Sequence, residues 1–299
     1  SKQNHTALNK MTQLIIGTAQ FGMNYGIANS TGQPSEKTIR EIIECATANE
    51  ILYYDTAISY GSSEEVLGKI FGELGIHQQV KVFTKIPKRT KTDSQASIDD
   101  SVKKSINRLK TDHLFGLLLH NESDYLYLEE LRKIKEAGLC KHIGLSTGHD
   151  PSFNSEILKN ENLGLLQIPA NLLDRRNLVP NILDNTAEKQ IIVRSIYLQG
   201  LFSIMPQVLS VFHRPLRSLL EQLNQIAQNF GMGIHELALR YILSYLPSYV
   251  VLGAESLLQF QNNLAWFKRG PLDRDILKRI NAVSYDLDFQ LITPHLWPK

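Results

Sequence analysis

The sequence predicts an α/β protein of the (β/α)8 TIM-barrel class. Three observations carry this expectation: short apolar runs alternate with longer amphipathic stretches, the runs number eight, and the glycines of the first turn do not fit a doubly wound sheet. The runs are Gln13–Ile16, Ile51–Tyr54, Val80–Thr84, Leu114–Leu119, His142–Leu145, Gly164–Ile168, Ile191–Ser195 and Tyr249–Leu252. They are continuously apolar rather than alternating, as strands buried on both faces require. Between them lie helical patterns. Ser62-x-x-Glu65 reads as a capping box opening a helix with Val66, Leu67, Ile70, Phe71 and Leu74 on one face. Ile98, Val102, Ile106 and Leu109 repeat that spacing further on. Such alternation argues for parallel strands joined by crossover helices. Eight units occupy about 250 residues in a typical barrel, and the chain has 299. A dinucleotide-binding doubly wound sheet places G-x-G-x-x-G after its first strand, a spacing that Gly17, Gly22 and Gly26 do not meet. No linker divides the pattern, so residues 1–299 read as one domain, with Ser1–Met11 a loose polar tail.

Composition narrows the function classes. A formal net charge of +2 gives no reason to expect a nucleic-acid partner. No run of about 18 apolar residues exists to span a bilayer, and Ser1–Met11 lacks the apolar stretch of a signal peptide. Two cysteines, Cys45 and Cys140, fit a reduced, cytoplasmic protein better than a disulfide scaffold. The nine histidines are scattered and no metal-ligand spacing occurs, so no metal is expected.

Four polar residues fall at or just beyond consecutive strand ends: Asp55, Tyr60 five positions later, Lys85 and His120. In a barrel they would meet on one rim. Each has a structural alternative, since an Asp before a helix caps turns, a terminal Lys is commonly solvated, and a His or Tyr can simply pack. Carbonyl reduction gives all four a role. It needs a proton for oxygen as well as a hydride for carbon. A tyrosine, with an ordinary pKa of about 10, is a better acid when an ammonium lies beside it. Tyr60 is thus the expected proton donor, Lys85 the charge that lowers its pKa, Asp55 the group that holds Lys85, and His120 a hydrogen-bond donor to the substrate oxygen.

The segment Asp55-Thr-Ala-Ile-Ser-Tyr60-Gly-Ser-Ser-Glu-Glu-Val-Leu-Gly68 strongly resembles the signature of the aldo/keto reductase superfamily, and Thr84-Lys85 and Leu119-His120 fall where that family carries its other catalytic residues. The resemblance runs from about Leu14 to Asn263. It implies a barrel that binds NAD(P)H at its C-terminal mouth and reduces an aldehyde, ketone or sugar-type carbonyl. Ser146, in Ile143-Gly-Leu-Ser146, and Gln167 match positions that contact the nicotinamide carboxamide. Arg194-Ser195-Ile-Tyr-Leu198-Gln-Gly200-Leu201 matches the segment that stacks on nicotinamide and holds the pyrophosphate. Val251-Leu-Gly253-Ala-Glu-Ser256-Leu-Leu-Gln259-Phe-Gln-Asn-Asn263 resembles the loop and helix that grip the adenosine end.

Three positions depart from that pattern. Thr147 stands where the family usually has Asn, Arg194 where it has an aromatic, and Glu255 where a basic residue often faces the 2′-phosphate of NADP. A planar guanidinium can also stack and adds positive charge. A carboxylate repels phosphate but can accept from a ribose hydroxyl. The resemblance implies NADP, and Glu255 adds NAD as an acceptable alternative.

Other segments leave two readings open. Residues 200–216 form the longest break in the pattern, either a lid or a surface insertion. Phe21, Met23 and Tyr25 either shape the pocket or pack beneath it, and Pro294–Lys299 either folds over the mouth or lies outside. The basic run Lys85–Lys91 is either an attractor for phosphorylated substrates or a solvated loop. Two rival functions also stand beside the reductase: a cofactor-binding regulatory barrel, of which the potassium-channel beta subunits of the superfamily are examples, and a lyase or isomerase that uses its cofactor transiently.

Overall fold

Each apolar run becomes one parallel strand of a closed barrel in the computed structural model, which describes residues 11–90, 94–184 and 189–298. The strands are β1 (Gln13–Gly17), β2 (Tyr53–Asp55), β3 (Lys81–Ile86), β4 (Leu114–Leu119), β5 (Cys140–Ser146), β6 (Leu165–Pro169), β7 (Gln190–Arg194) and β8 (Tyr249–Gly253). Each pairs with its sequence neighbours, and β1 returns to β8 with Ile15 opposite Val251, which leaves no sheet edge. The first connection carries α1 (Ala19–Gly22), a single turn, and α2 (Glu36–Ala48). Single helices follow the next five strands: α3 (Ser63–Glu73), α4 (Gln95–Leu109), α5 (Leu128–Glu136), α6 (Pro151–Ile157) and α7 (Pro180–Leu183). Two helices follow β7, α8 (Arg217–Asn229) and α9 (Ile234–Leu243), and two follow β8, α10 (Leu257–Arg269) and α11 (Arg274–Ala282).

Side chains on a strand alternate between its two faces, and here this separates two cores. Leu14, Ile16, Tyr54 and Leu166 point outward into the layer shared with the helices. Ile15, Phe83, Leu118, Leu165, Ile192 and Tyr249 point inward and fill the barrel, with Tyr53 packed against them. The residue two positions beyond an inward one is inward as well, but nearer the C-terminal mouth. Tyr53 is thus followed by Asp55, Phe83 by Lys85, Leu118 by His120, Leu165 by Gln167 and Ile192 by Arg194. An apolar plug fills the lower barrel, and polar residues crown it.

The helix after β2 departs from expectation at its start. Ser62 caps α3 without a side-chain hydrogen bond, and Glu65 faces Arg108 rather than turning back to Ser62, so no capping box forms. The anchoring falls to its neighbours. The Ser63 hydroxyl lies 2.7 Å from that of Thr18 and 2.8 Å from that of Thr56. Buried Glu64 accepts from the Thr84 hydroxyl at 2.6 Å and from Arg108 Nε at 2.7 Å. Gly68 lies where α3 crosses α4, and a Cβ there would stand 1.9 Å from the Arg108 carbonyl oxygen. Gly68→Ala should therefore cost about 1–3 kcal/mol by overpacking against backbone that cannot yield. Thermal unfolding will show a lowered Tm; an unchanged Tm would mean the two helices slide apart freely.

Among the described residues, no helix is long and apolar enough to cross a membrane, no group of His, Cys, Asp and Glu is placed to hold a metal ion, and Cys45 and Cys140 are both free. The tail Ser1–Lys10 lies outside the described residues.

Candidate active site

A cavity of about 990 Å³ opens at the C-terminal mouth of the barrel, at the upper end of the usual range for ligand and cofactor pockets, ~300–1,000 Å³. Asp55, Tyr60 and His120 line it, as do Gly253, Glu255 and Gln259 where β8 runs into α10. Lys85 lies directly under the first group, with no exposed surface. Its Nζ donates to both carboxylate oxygens of Asp55, at 2.8 and 2.7 Å, and to the Thr56 carbonyl at 2.9 Å. The ammonium is therefore fully satisfied without Tyr60. It faces that ring instead, 5.1 Å from its centroid.

Tyr60 sits on the loop after β2, which is clamped to the first connection. Ser62 N donates to the Gly22 carbonyl at 3.4 Å, and Gly61, at φ 53°, passes so close that a Cβ would lie 2.1 Å from that same oxygen. A side chain there would meet both left-handed strain and backbone. Tyr60 meets His120 edge to face, with ring centroids 5.6 Å apart. The His120 Nδ1 lies 3.1 Å from the Ser59 hydroxyl.

Burial sets the protonation states at this end. The Tyr60 hydroxyl is pushed up from its ordinary value, first by burial and then by the charge of Asp55, while Arg194 pulls the other way. The expected lowering by Lys85 does not materialise, because Asp55 neutralises that ammonium at contact distance. Lys85 is itself lowered by burial, with Asp55 opposing the shift. His120 is pushed down to about 3 by burial and by the positive charges of Lys85 and Arg194, so it is neutral across the physiological range.

Ser146 and Gln167 meet at the ends of β5 and β6. Gln167 Nε2 donates to Asp55 Oδ1 at 2.9 Å, and the Ser146 hydroxyl approaches Gln167 Oε1 at 3.3 Å. Arg194 reaches across the mouth to the Thr147 carbonyl at 2.8 Å and back to the Ser195 hydroxyl at 3.1 Å. Gly200 and Asn263 also lie on the wall, and Asn263 donates to the Gly253 carbonyl at 3.2 Å while accepting from the Tyr197 hydroxyl at 2.8 Å. Two residues of the expected cofactor set lie off the wall. Leu198 buries its side chain in the outer core, and the Ser256 hydroxyl caps α10 by accepting from Gln259 N at 3.2 Å.

The open segments divide cleanly. Tyr25 lines the cavity, Phe21 is buried beneath it and Met23 is exposed. Of residues 200–216, Gly200 and Ser203 touch the cavity. The remainder forms short turns at Pro206–Val208 and Arg214–Leu216, with Leu209 and Leu216 buried and His213 against Trp297 at 4.5 Å between ring centroids. Met205, Val208 and Val211 of the same segment are exposed. The C-terminal segment places His295 on the cavity wall. In the run Lys85–Lys91, Lys85 is turned inside the barrel, Lys88 is exposed, and Lys91 lies outside the described residues. Sequence reading assigned no role to His235 and Trp266 on the wall, stacked at 6.4 Å and 15°. They come from α9 and α10, and no local motif announces them.

The mouth of the closed eight-stranded barrel thus holds a tyrosine and a histidine over a buried Lys–Asp pair. The sequence model of the aldo/keto reductase family matches residues 13–284, and the chain belongs to that family. It is 30% identical to the aldo-keto reductase YhdN of Bacillus subtilis over 173 residues, which is 52% of this chain and 51% of YhdN, so that match spans about half of the relative's length. The uncharacterized oxidoreductase YqkF of the same organism is 25% identical over 85% of this chain and 89% of its own. Among solved structures, the holo form of aldo-keto reductase AKR11C1 from Bacillus halodurans superposes with a TM-score of 0.73 at 25% identity, covering 92% of this chain and 94% of that one. The family comprises oxidoreductases that act on carbonyl compounds with nicotinamide cofactors.

Proposed function

We propose that this protein reduces the carbonyl of a small aldehyde, ketone or sugar-type substrate to the alcohol, using reduced NADP and accepting reduced NAD, with Tyr60 as the proton donor. The observation that carries the reading is the pairing of Tyr60 with His120 above the buried Lys85–Asp55 ion pair, inside a cavity of dinucleotide size. The donor set suits such a cofactor. Ser146 and Gln167 offer a hydroxyl and an amide at the catalytic end, Ser195 and Gly200 flank the middle, and Gly253, Gln259 and Asn263 lie at the end where α10 begins. Free amides at a helix start favour phosphate. When bound, the reduced nicotinamide supplies the hydride for the carbonyl carbon.

The protein's own groups manage the proton and the charge. Tyr60, raised by burial, holds its proton at neutral pH and gives it to the substrate oxygen as negative charge develops there. Lys85, held by Asp55, packs against the ring and fixes where the Tyr60 side chain sits. Neutral His120, its Nδ1 accepting from Ser59, presents Nε2–H to the same oxygen. Two unpaired cysteines support a cytoplasmic setting, and a net charge of +2 favours a small-molecule substrate over nucleic acid. Consumption of NADPH and NADH with a panel of aldehydes, ketones, aldoses and dicarbonyls tests the reading; cofactor binding without turnover would refute it.

Glu255 sets the cofactor choice in this reading. It lies on the cavity wall, its backbone N–H donates to Gln259 Oε1 at 2.8 Å, and its carboxyl is raised by burial. Glu255→Arg will replace repulsion of a 2′-phosphate with a charge-assisted bond, raising the NADPH-to-NADH ratio of kcat/KM roughly 10- to 100-fold. An unchanged ratio would place the adenosine ribose away from Glu255.

A further inference from the structure

We propose that the substrate is a neutral polyhydroxy carbonyl compound, and that Glu122 and His295 bind the hydroxyls beside its reacting carbon. This deepens the carbonyl-reductase reading and rests on it.

The wall of the cavity divides by chemistry. Its larger apolar side chains, Ile196, Val251, Leu252 and Trp266, come from β8, α10 and the segment after β7, the parts matched to the cofactor. The ends of β2 to β6 and the loops after them bring only polar residues and glycine to it. A plain alkyl or aryl substrate laid against that side would strip water from hydrogen-bonding groups and return nothing.

Two residues of the polar side have no place in the proton machinery or in the expected cofactor set. Glu122 is one. Asn121 is extended, at φ −133° and ψ 132°, so Glu122 returns to the side on which His120 faces the mouth. Its Oε2 accepts from Gly148 N at 2.8 Å, which fixes the carboxylate, and among the described residues Oε1 has no partner.

His295 is the other, and a buried latch sets its place. Asp174, 1% exposed, accepts from Arg176 Nε and Nη2 at 2.8 Å each and lies 2.5 Å from His149 Nδ1. Arg176 Nη2 also donates to the Thr293 hydroxyl at 2.9 Å, and the guanidinium covers the Phe289 ring. The segment is thereby held just before His295, whose ring stands 6.2 Å from that of His149. Glu122 and His295 thus gather about Gly148 and His149 from different parts of the chain.

Charge selects among polar substrates. A carboxylate on the substrate would meet Glu122. An ammonium would meet Arg194, tethered to the Thr147 carbonyl next to Gly148. Hydroxyls offend neither: they donate to the free oxygen of Glu122, and they donate to or accept from an imidazole. A carbonyl held at Tyr60 with hydroxyls on the following carbons is an aldose, a ketose or a short hydroxyaldehyde.

Three matched pairs test this: glyceraldehyde against propionaldehyde, erythrose against butyraldehyde, and dihydroxyacetone against acetone. A cationic probe, 3-aminopropanal, joins them. Each is assayed with NADPH on the intact protein, Glu122→Gln and His295→Phe, and the Kd for NADPH is measured separately by fluorescence. The intact protein is expected to favour the hydroxylated member in at least one pair. Glu122→Gln keeps an acceptor for Gly148 N but not the charge. It should lower kcat/KM for that member, relative to its partner, roughly 3- to 30-fold and mainly through KM. His295→Phe should lower the same ratio roughly 2- to 10-fold. Equal losses for both members of every pair, or an unchanged ratio in either variant, overturn the proposal. So does a weakened Kd for NADPH that accounts for the losses, which would assign the two residues to the cofactor. Preference for 3-aminopropanal over every hydroxylated compound overturns it too, and makes Glu122 a counter-ion. Turnover confined to the unhydroxylated members overturns this inference and leaves the reductase reading intact, whereas no turnover of any compound overturns both.

Discussion

Tyr60→Phe will bind cofactor as the intact protein does, yet lower kcat for carbonyl reduction by about 10²- to 10⁴-fold, the usual worth of a positioned general acid. The substitution removes one hydroxyl. The ring keeps its edge contact with His120 and its place over Lys85, so a loss of that size cannot be assigned to collapse of the site. The pH profile supplies a second check. Burial and the Asp55 charge raise the Tyr60 hydroxyl, against the weaker pull of Arg194. Reduction consumes the phenol, so its rate should hold level through neutral and mildly alkaline pH and decline only above tyrosine's ordinary value of about 10. Oxidation of the alcohol needs the phenolate and should rise with pH over the same span. His120, pushed down to about 3, should contribute no limb between pH 5 and 8. Full activity in Tyr60→Phe, or a reduction rate that falls away near pH 7, would remove Tyr60 from the proton-donor role.

The barrel was legible because its strands are buried on both faces. Runs such as Leu114–Leu119 are apolar at every position, and β4 keeps those same bounds. The positions of Asp55, Lys85 and His120 followed from the strand period, which puts every second residue inside. Energetics were less legible than positions. A lysine near a tyrosine in sequence order suggests a lowered phenol, but the Lys85 donors are spent on Asp55 and Thr56. That outcome depends on a third group whose distance no spacing reveals. Leu198 and Ser256 show the same limit from another side. Each lies in a segment that borders the cavity, but one left-handed turn buries the leucine and one helix cap takes up the serine hydroxyl. Segment resemblance locates the wall; side-chain direction decides who is on it.

Lys85→Met will be the most damaging substitution at the base of the site, costing about 3–5 kcal/mol of stability, the range for removing one member of a buried ion pair. Lys85 has no exposed surface and Asp55 only 4%. Without the ammonium, Asp55 keeps one strong donor, Gln167 Nε2 at 2.9 Å, and the rest of its charge is left unpaired in a largely buried place. Asp55→Asn will do comparable harm from the opposite side, because it leaves an ammonium in a place where burial already lowers its pKa. The double variant Asp55→Asn with Lys85→Met should then be less destabilised than the sum of the singles, by about 1–3 kcal/mol, since neither charge remains to be stranded. All three proteins should reduce carbonyls poorly, for the Tyr60 ring would lose the intact ion pair it rests on. Denaturant titration of the four proteins measures the coupling directly. Strict additivity would mean that Lys85 and Asp55 stabilise the barrel independently, and that the ion pair under Tyr60 is not the unit on which both fold and chemistry rest.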